Sequence, residues 1–161
     1  MNKKSALLIE VQTTILPPLE RLITRLDQAD NVSFQADWHL ETHMLAASQD
    51  GLTVGFLRYV IRRIGVEEDL NPIQVAGTIL TEAKVLAFGV APEHRRQGIG
   101  RALQLALIEQ SKRAGCYQIR SHSAATNTAN HQLKLSLGFA IHPLVSSADK
   151  DGFYFILPLW M

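Results

Sequence analysis

One stretch of the sequence decides the fold: KVLAFGVAPEHRRQGIGRA, residues 84–102. Its first half is rich in residues that favour strands and stops at Ala91-Pro92, because proline cannot donate to a sheet ladder. A polar loop with a pair of arginines follows. Gly98 and Gly100 then open a segment whose apolar residues recur at helical spacing. The stretch therefore predicts a strand, a short loop and a long helix in succession.

The start of this helix is a candidate site for a phosphorylated ligand. A helix N-terminus presents unpaired N–H groups and about half a positive charge, and the glycines would let a diphosphate approach the backbone. Arg95, Arg96 and Arg101 add positive charge there. The alternative is that the glycines only shape a turn. A dinucleotide-binding fingerprint is excluded because its third glycine position is Leu103, and no Gly-Lys-Ser/Thr follows for a P-loop.

The chain before this stretch is predicted to be mostly strand, with one early helix. Pro17-Pro18 opens that helix, because proline suits the first helical positions. Asp50-Gly51 lies between two β-rich runs and supplies the positive φ angles of a tight hairpin turn. The predicted strands of this half cover residues 6–11, 43–48, 52–64 and 74–90, the last with an interruption near Thr81.

The second half predicts alternating helices and strands. The long helix ends at Gly115, and a second helix runs from an N-cap at Thr126 or Asn127 to a C-cap at Gly138. The predicted strands here cover residues 117–123, 139–142 and 153–157. Together these elements predict an α/β fold: a mixed, mostly antiparallel twisted sheet of about six to seven strands with helices on both faces, in one domain over residues 1–161.

Composition excludes several classes of protein. The 161 residues are 47% hydrophobic and 19% charged, which indicates a folded core and not a disordered chain. A net charge of +1 argues against a general nucleic-acid binder. The single cysteine, Cys116, cannot form an intramolecular disulfide, and no apolar run approaches the ~18 residues of a membrane span. We therefore expect a cytoplasmic protein with no membrane or nucleic-acid partner.

Two motifs resemble one enzyme superfamily. The run Arg95-Arg96-Gln97-Gly98-Ile99-Gly100 matches the R/Q-x-x-G-x-G/A signature of the GCN5-related N-acetyltransferase (GNAT) superfamily, and Asn127 stands eleven residues before Gly138-Phe139, as in that family's later motif. The resemblance is specific over residues 84–143 and architectural over residues 5–83. It implies the GNAT fold, acetyl-CoA as cofactor, and direct transfer of an acetyl group to an amine without a covalent enzyme intermediate.

The resemblance also implies where the cofactor binds. The strands that end near Val90 and begin near Tyr117 should splay, so that the pantetheine arm pairs with the first of them as an added strand would. Backbone amides at the helix start would hold the diphosphate, and Asn127 would bond the pantetheine or approach the thioester. The predicted cofactor-binding residues are Phe88, Val90, Arg95, Arg96, Gln97, Gly98, Ile99, Gly100, Arg101 and Asn127.

The usual general acid of the family is replaced in this chain. Seven residues after the motif asparagine, many relatives carry a tyrosine that protonates the departing thiolate, and here the residue is Lys134. Lys134 either donates that proton, or stabilises the thiolate by charge, or is a solvated helix residue without a catalytic role. Tyr154 and Tyr117 are further candidates for the acid.

A general base is also needed, because an amine of pKa ~10.4 is neutral in only about 0.04% of molecules at pH 7. Some relatives carry a glutamate at the position of Lys84. Glu82 lies two residues earlier and, by strand alternation, on the same face, so it is the first candidate, against the alternative of a surface carboxylate. His122 is the second candidate, against the alternative of a hydrogen-bonded structural histidine.

The acceptor amine is the least determined part of the prediction. The chain lacks acidic clusters suited to a polyamine and has modest basic charge, which favours a small-molecule amine over a protein tail. A protein N-acetyltransferase and a non-catalytic acyl-CoA-binding domain remain alternatives, the latter because of Lys84 and Lys134. Acceptor recognition is expected in residues 29–44 and 144–151. No metal site is expected, since His39 and His43 lack a third ligand. GNAT proteins often dimerise, but the sequence does not show whether this chain forms a homodimer.

Overall fold

The computed structural model describes residues 6–143 and 152–160. Seven strands form one sheet in the order β1-β2-β3-β6-β7-β9-β8, and all neighbours are antiparallel except the parallel pair β6 and β7. The elements are β1 Leu7–Val11, α1 Pro17–Arg25, α2 Ala29–Ser33, β2 Glu41–Gln49, β3 Leu52–Arg63, β4 Gln74–Val75, β5 Thr78–Ile79, β6 Thr81–Val90, α3 Ile99–Arg113, β7 Gln118–Ala124, α4 Thr128–Ser136, β8 Ala140–Pro143 and β9 Gly152–Pro158. Single 3₁₀ turns cover Val66–Glu68 and Pro92–His94. The predicted mixed α/β fold is confirmed.

Helices cover both faces of the sheet because side chains of a strand alternate between faces. On β3, Leu57 and Tyr59 pack in the core under α3, whereas Phe56 packs in a second cluster under α1. The core under α3 also includes residues of β6 and β9. The cluster under α1 contains fewer buried residues. The amphipathic stripes of α1 and α3 therefore place them on opposite faces.

The turn and cap residues predicted from the sequence lie at the ends of the observed elements. Asp50 and Gly51 have φ angles of 52° and 78°, as a tight hairpin turn requires. The helices α3 and α4 each end in a Schellman motif around a left-handed glycine, Gly115 and Gly138. At the end of α4, the Gly138 N–H donates to the Leu135 carbonyl and the Phe139 N–H to the Lys134 carbonyl, each at 3.1 Å.

Two features of the first half differ from the sequence prediction. The region predicted as one interrupted strand contains a separate hairpin, β4–β5, whose turn residues Ala76 and Gly77 both have positive φ angles, and the long strand β6 starts only at Thr81. The helix α2 was not predicted, since it has five residues, no buried side chain and no side-chain cap. The predicted acceptor loop 144–151 lies outside the described residues. None of the described helices is long and apolar enough to cross a membrane.

Candidate active site

The strands β6 and β7 separate halfway along their length. Their parallel ladder runs from Glu82↔Gln118 to Val85↔Ser121 and stops, although β6 continues to Val90 and β7 to Ala124. A bulge accompanies the separation, because Val85 pairs with Tyr59 and Ala87 with Arg58, which leaves Leu86 as an extra residue on β6. The predicted splay is confirmed, and it leaves an unpaired strand edge inside the sheet.

A cavity of about 470 Å³ fills the gap between the separated strands. Phe88, His122, Asn127 and Tyr154 line it, together with Lys84. The structure thus brings together four of the sequence-predicted candidates, Phe88, His122, Asn127 and Tyr154, from three strands and a helix start. The described lining contains no carboxylate.

The glycine loop has the geometry of an open helix start. Arg96 and Gly98 have left-handed φ angles of 62° and 81°, and a Cβ on Gly98 would meet no described atom within 4 Å. Gly100 is different, since its Cβ would lie 3.2 Å from Phe88 Cζ. The first hydrogen bond of α3 is donated by the Ala102 N–H to the Gly98 carbonyl at 3.0 Å, and no side chain caps the amides before it. The start of α3 therefore lies against Phe88 with free backbone donors.

The other members of the predicted cofactor set lie around this loop. Arg95 folds back, and its Nε donates to the Val90 carbonyl at 3.3 Å. Arg101 Nη1 donates to Ser136 Oγ at 3.2 Å, which joins α3 to α4. Ile99 is buried in the core and can offer only its backbone amide. Gln97 forms part of the turn between the two left-handed residues.

Lys134 is completely buried on the inner face of α4, so the interpretation as a solvated helix residue is wrong. Its Nζ lies 5.1 Å from the centre of the Phe139 ring and has no hydrogen-bond partner among the described residues. Burial alone lowers the pKa of Lys134 to about 7. Asn130 lies one helical turn earlier; its Nδ2 donates to Ser123 Oγ at 3.0 Å, but its Oδ1 is buried without a partner in the described chain. A free donor and a free acceptor therefore share one face of α4.

Glu82 is completely buried and does not line the cavity, so it is not the surface carboxylate considered as an alternative. Its carboxylate accepts hydrogen bonds from Arg62 Nη2 at 3.0 Å, Gln118 Nε2 at 2.7 Å and Arg120 Nε at 3.2 Å. Glu67 extends the network, with its Oε1 at 2.5 Å from Arg62 Nη1 and at 2.7 Å from Lys84 Nζ. The network joins β3, β6 and β7 just before the point of separation.

His122 is exposed on β7 and lines the cavity. Its ring contacts the Tyr154 ring edge-on, with centroids 5.7 Å apart, and no hydrogen bond joins it to another described residue. A Cβ on Gly152 would lie 2.5 Å from His122 Nε2, so the glycine leaves room for this ring. The Arg120 guanidinium lies over the Tyr154 ring, 5.2 Å from the ring centre. Tyr117 lies at the opposite end of β7, against Trp160.

Asn127, a predicted site residue, is also the residue at which α4 begins. Its side chain caps the helix by accepting a hydrogen bond from the Asn130 N–H at 3.3 Å.

Other residues of the cavity wall were not singled out from the sequence. Gln28 and Asn31 were not predicted individually; they line the cavity from the start of α2 and are hydrogen-bonded to each other at 2.9 Å. They fall in or beside the segment 29–44 expected to recognise the acceptor. No group of His, Cys, Asp and Glu in residues 6–143 and 152–160 is arranged to hold a metal ion.

Comparison with known proteins identifies the family. A sequence profile of the acetyltransferase (GNAT) family matches residues 13–139, which include the separated strands, the glycine loop and α4. The chain belongs to the GNAT family. The resemblance predicted from the motifs in residues 84–143 is confirmed.

Individual GNAT relatives share the fold and part of the sequence. The [ribosomal protein bS18]-alanine N-acetyltransferase of Escherichia coli K12 is 30% identical over 82 residues, which are 51% of this chain and 55% of that protein. The match thus spans about half of that relative's length. The crystal structure of the ribosomal-protein-S18-alanine N-acetyltransferase from Escherichia coli has a TM-score of 0.62 at 23% identity, covering 97% of this chain and 96% of that one. Arabidopsis thaliana NAA60 in complex with acetyl-CoA has a TM-score of 0.67 at 19% identity, covering 94% and 99%.

Proposed function

We propose that this GNAT protein transfers the acetyl group of acetyl-CoA to an α-amino group, by direct attack of the amine on the thioester. The observation that carries the proposal is the unpaired edge of β6 beyond Val85, which borders the cavity along Leu86, Ala87 and Phe88. The start of α3, with its free amides, lies against Phe88 at one end of this edge. An extended ligand with a diphosphate at one end matches this arrangement.

The residues present fit acetyl-CoA. The backbone of Phe88 and Val90 would pair with the amides of the pantetheine arm, as an added strand pairs with a sheet edge. The amides of residues 96–101 would bind the diphosphate, and the nearby arginine side chains would add charge. Asn130 Oδ1, in the cavity wall, is a buried polar atom that lacks a partner in the described chain, and a polar ligand would satisfy it. Lys134 is not among the residues that line the cavity, but it follows Asn130 by one helical turn on the same face of α4. Bound acetyl-CoA supplies an activated acetyl group.

We propose His122 as the group that takes the proton of the amine. It lines the cavity and its ring nitrogens are not engaged by other described residues, whereas the Glu82 carboxylate is enclosed by two arginines and a glutamine. As the amine nitrogen bonds to the acetyl carbon and the carbon–sulfur bond breaks, protonated Lys134 would give its proton to the sulfur. Because a thiol has a pKa of ~8.5, its thiolate leaves readily and a weak acid is sufficient.

An α-amine suits a cavity whose described lining holds no carboxylate base. The α-amino group at a peptide N-terminus, of pKa ~7.7–8.0, is neutral in roughly a tenth of molecules at pH 7, about two hundred times the neutral fraction of a lysine side chain. The Escherichia coli relative is named as an alanine N-acetyltransferase of a ribosomal protein, which supports the α-amine of a protein N-terminus as acceptor. The sequence composition favoured a small-molecule acceptor, and this stays a prediction. A free amino acid represents that class of acceptor in the test below.

The test measures thiol release from acetyl-CoA with three acceptors: alanine, a peptide that begins with alanine, and the same peptide with a blocked N-terminus and one lysine. We expect kcat/KM for one of the α-amines to exceed that for the lysine peptide by at least about tenfold. Equal rates on the lysine peptide would contradict the α-amine proposal. Binding of acetyl-CoA without turnover on any acceptor would instead support the non-catalytic acyl-CoA-binding alternative.

A further inference from the structure

A second cavity, also of about 470 Å³, lies on the face of the sheet that α1 and α2 cover. It opens beside the start of β2, where the pairing with β1 ends at Val11↔Leu45. Arg58 of β3 lies in its wall and is only 4% exposed. A guanidinium that lines a cavity and is almost fully buried attracts an anion in that cavity strongly, because little solvent screens its charge.

The charge of Arg58 has no counter-ion among the described residues. Its Nε and Nη2 donate to Thr42 Oγ1 at 3.4 and 3.3 Å, and its Nη1 donates to the Asn31 carbonyl at 2.8 Å. These three bonds leave two of the five guanidinium N–H groups without a partner in the described chain. No described carboxylate forms an ion pair with Arg58, and burial lowers its pKa with no opposing carboxylate. A buried charge is costly unless it is paired, so Arg58 would favour an anion in this cavity.

The rest of the wall indicates which anion fits. Arg58 is the only permanently charged residue in the described lining, which suits a single negative charge and not a dianion. Val11, Ile15 and Val32 supply apolar surface, while Gln12 and Gln35 add side-chain amide groups to the lining. The planar pair of free N–H groups matches a carboxylate.

We propose that this cavity is a binding site for a small organic monocarboxylate, with the carboxylate on Arg58 and an apolar body against Val11, Ile15 and Val32. The site is distinct from the candidate active site. The helix α2 separates the two, since Asn31 lines the first cavity and Val32 the second. Arg58 bonds the backbone of Asn31, so a ligand here lies directly behind the proposed acceptor wall.

The test is a calorimetric titration of hexanoate into the full chain, with and without excess CoA, which would occupy the other cavity. We expect one site with the same affinity in both conditions, and no comparable heat with inorganic phosphate. Arg58→Met should weaken binding by at least about tenfold, since it removes a charge-assisted pair of hydrogen bonds. The matched control is Arg63→Gln, an exposed arginine at the end of the same strand, which should leave the affinity unchanged. No saturable heat, equal weakening by both variants, or competition by CoA would overturn the proposal.

A second measurement keeps the proposal testable if Arg58→Met does not fold. In the wild-type protein, hexanoate should shift the Nε–H resonance of Arg58 in a saturable manner, and the resonance of Arg63 should not move. Saturation without any change at Arg58 would place the ligand elsewhere and overturn the assignment.

Discussion

The side chain of Lys134 is completely buried, with its ammonium group over the Phe139 ring, and burial lowers its pKa to about 7. In the proposed reaction the protonated form is the active one, so the rate should fall as pH rises through this pKa. We expect Lys134→Met to lower kcat by roughly tenfold to a hundredfold and to remove the descending limb of the pH–rate profile above neutrality. The control is Lys112→Met, an exposed lysine at the end of α3. An unchanged kcat and an unchanged basic limb would exclude a leaving-group role for Lys134.

The same burial predicts a stability effect that does not depend on catalysis. The pKa of Lys134 is lower in the folded chain than the 10.5 of an unperturbed lysine, so the unfolded chain binds more protons between these values. Stability therefore rises with pH in this window, by roughly 1 kcal/mol per pH unit from this group. Urea unfolding should show that the free energy of unfolding of the wild type, relative to that of Lys134→Met, is greater at about pH 8.5 than at about pH 7. A constant difference would indicate that the ammonium is not desolvated.

The ionic network around Glu82 acts on three strands at once, because it joins β3, β6 and β7 at the point where the sheet divides. Glu82→Gln leaves the buried Arg62 and the partly buried Arg120 with less negative charge, and we expect it to lower the free energy of unfolding by about 3 kcal/mol. Glu93→Gln, which removes an ion pair with Arg25 between exposed side chains, should change stability little. Chemical denaturation of the variants measures both effects.

The pH–rate profiles of single variants at Glu82 and His122 compare the two candidate bases. At a temperature where all variants are folded, His122→Gln should remove the acidic limb of the pH–rate profile, whereas Glu82→Gln should keep it. The opposite pattern would identify Glu82 as the base. The comparison is informative because the two residues lie on adjacent strands, one in the cavity wall and one behind it.

The features that sequence could predict are those with local signals. The glycines at 98, 115 and 138 mark helix ends through their own backbone angles, and Asp50-Gly51 marks a hairpin in the same way. The positions of Glu82, Lys134 and Arg58 depend on contacts between elements far apart in sequence. Arg58, for example, bonds Asn31 and Thr42 from two other elements. Strand alternation placed Glu82 on the face of Lys84, but burial among arginines is a property of three packed strands.

The separation of β6 from β7 predicts where in the folded chain a bound ligand will slow hydrogen exchange. The strands β2 and β3 are paired on both sides, while β6 beyond Val85 has one free edge, so ligand-dependent protection from hydrogen exchange should be confined to the gap. With acetyl-CoA, amides in residues 86–90 and 96–101 should exchange at least about tenfold more slowly, and those in β2 and β3 should not change.

ADP provides a matched comparison, because it carries a diphosphate but no pantetheine arm. It should protect residues 96–101 alone, since the free amides before α3 need only the diphosphate, whereas the β6 edge needs an extended chain with its own amides. Slower exchange in residues 86–90 with ADP would mean that these amides become protected without pairing to a pantetheine arm. Absence of protection there with acetyl-CoA would contradict the proposed cofactor position, whatever the turnover assay showed.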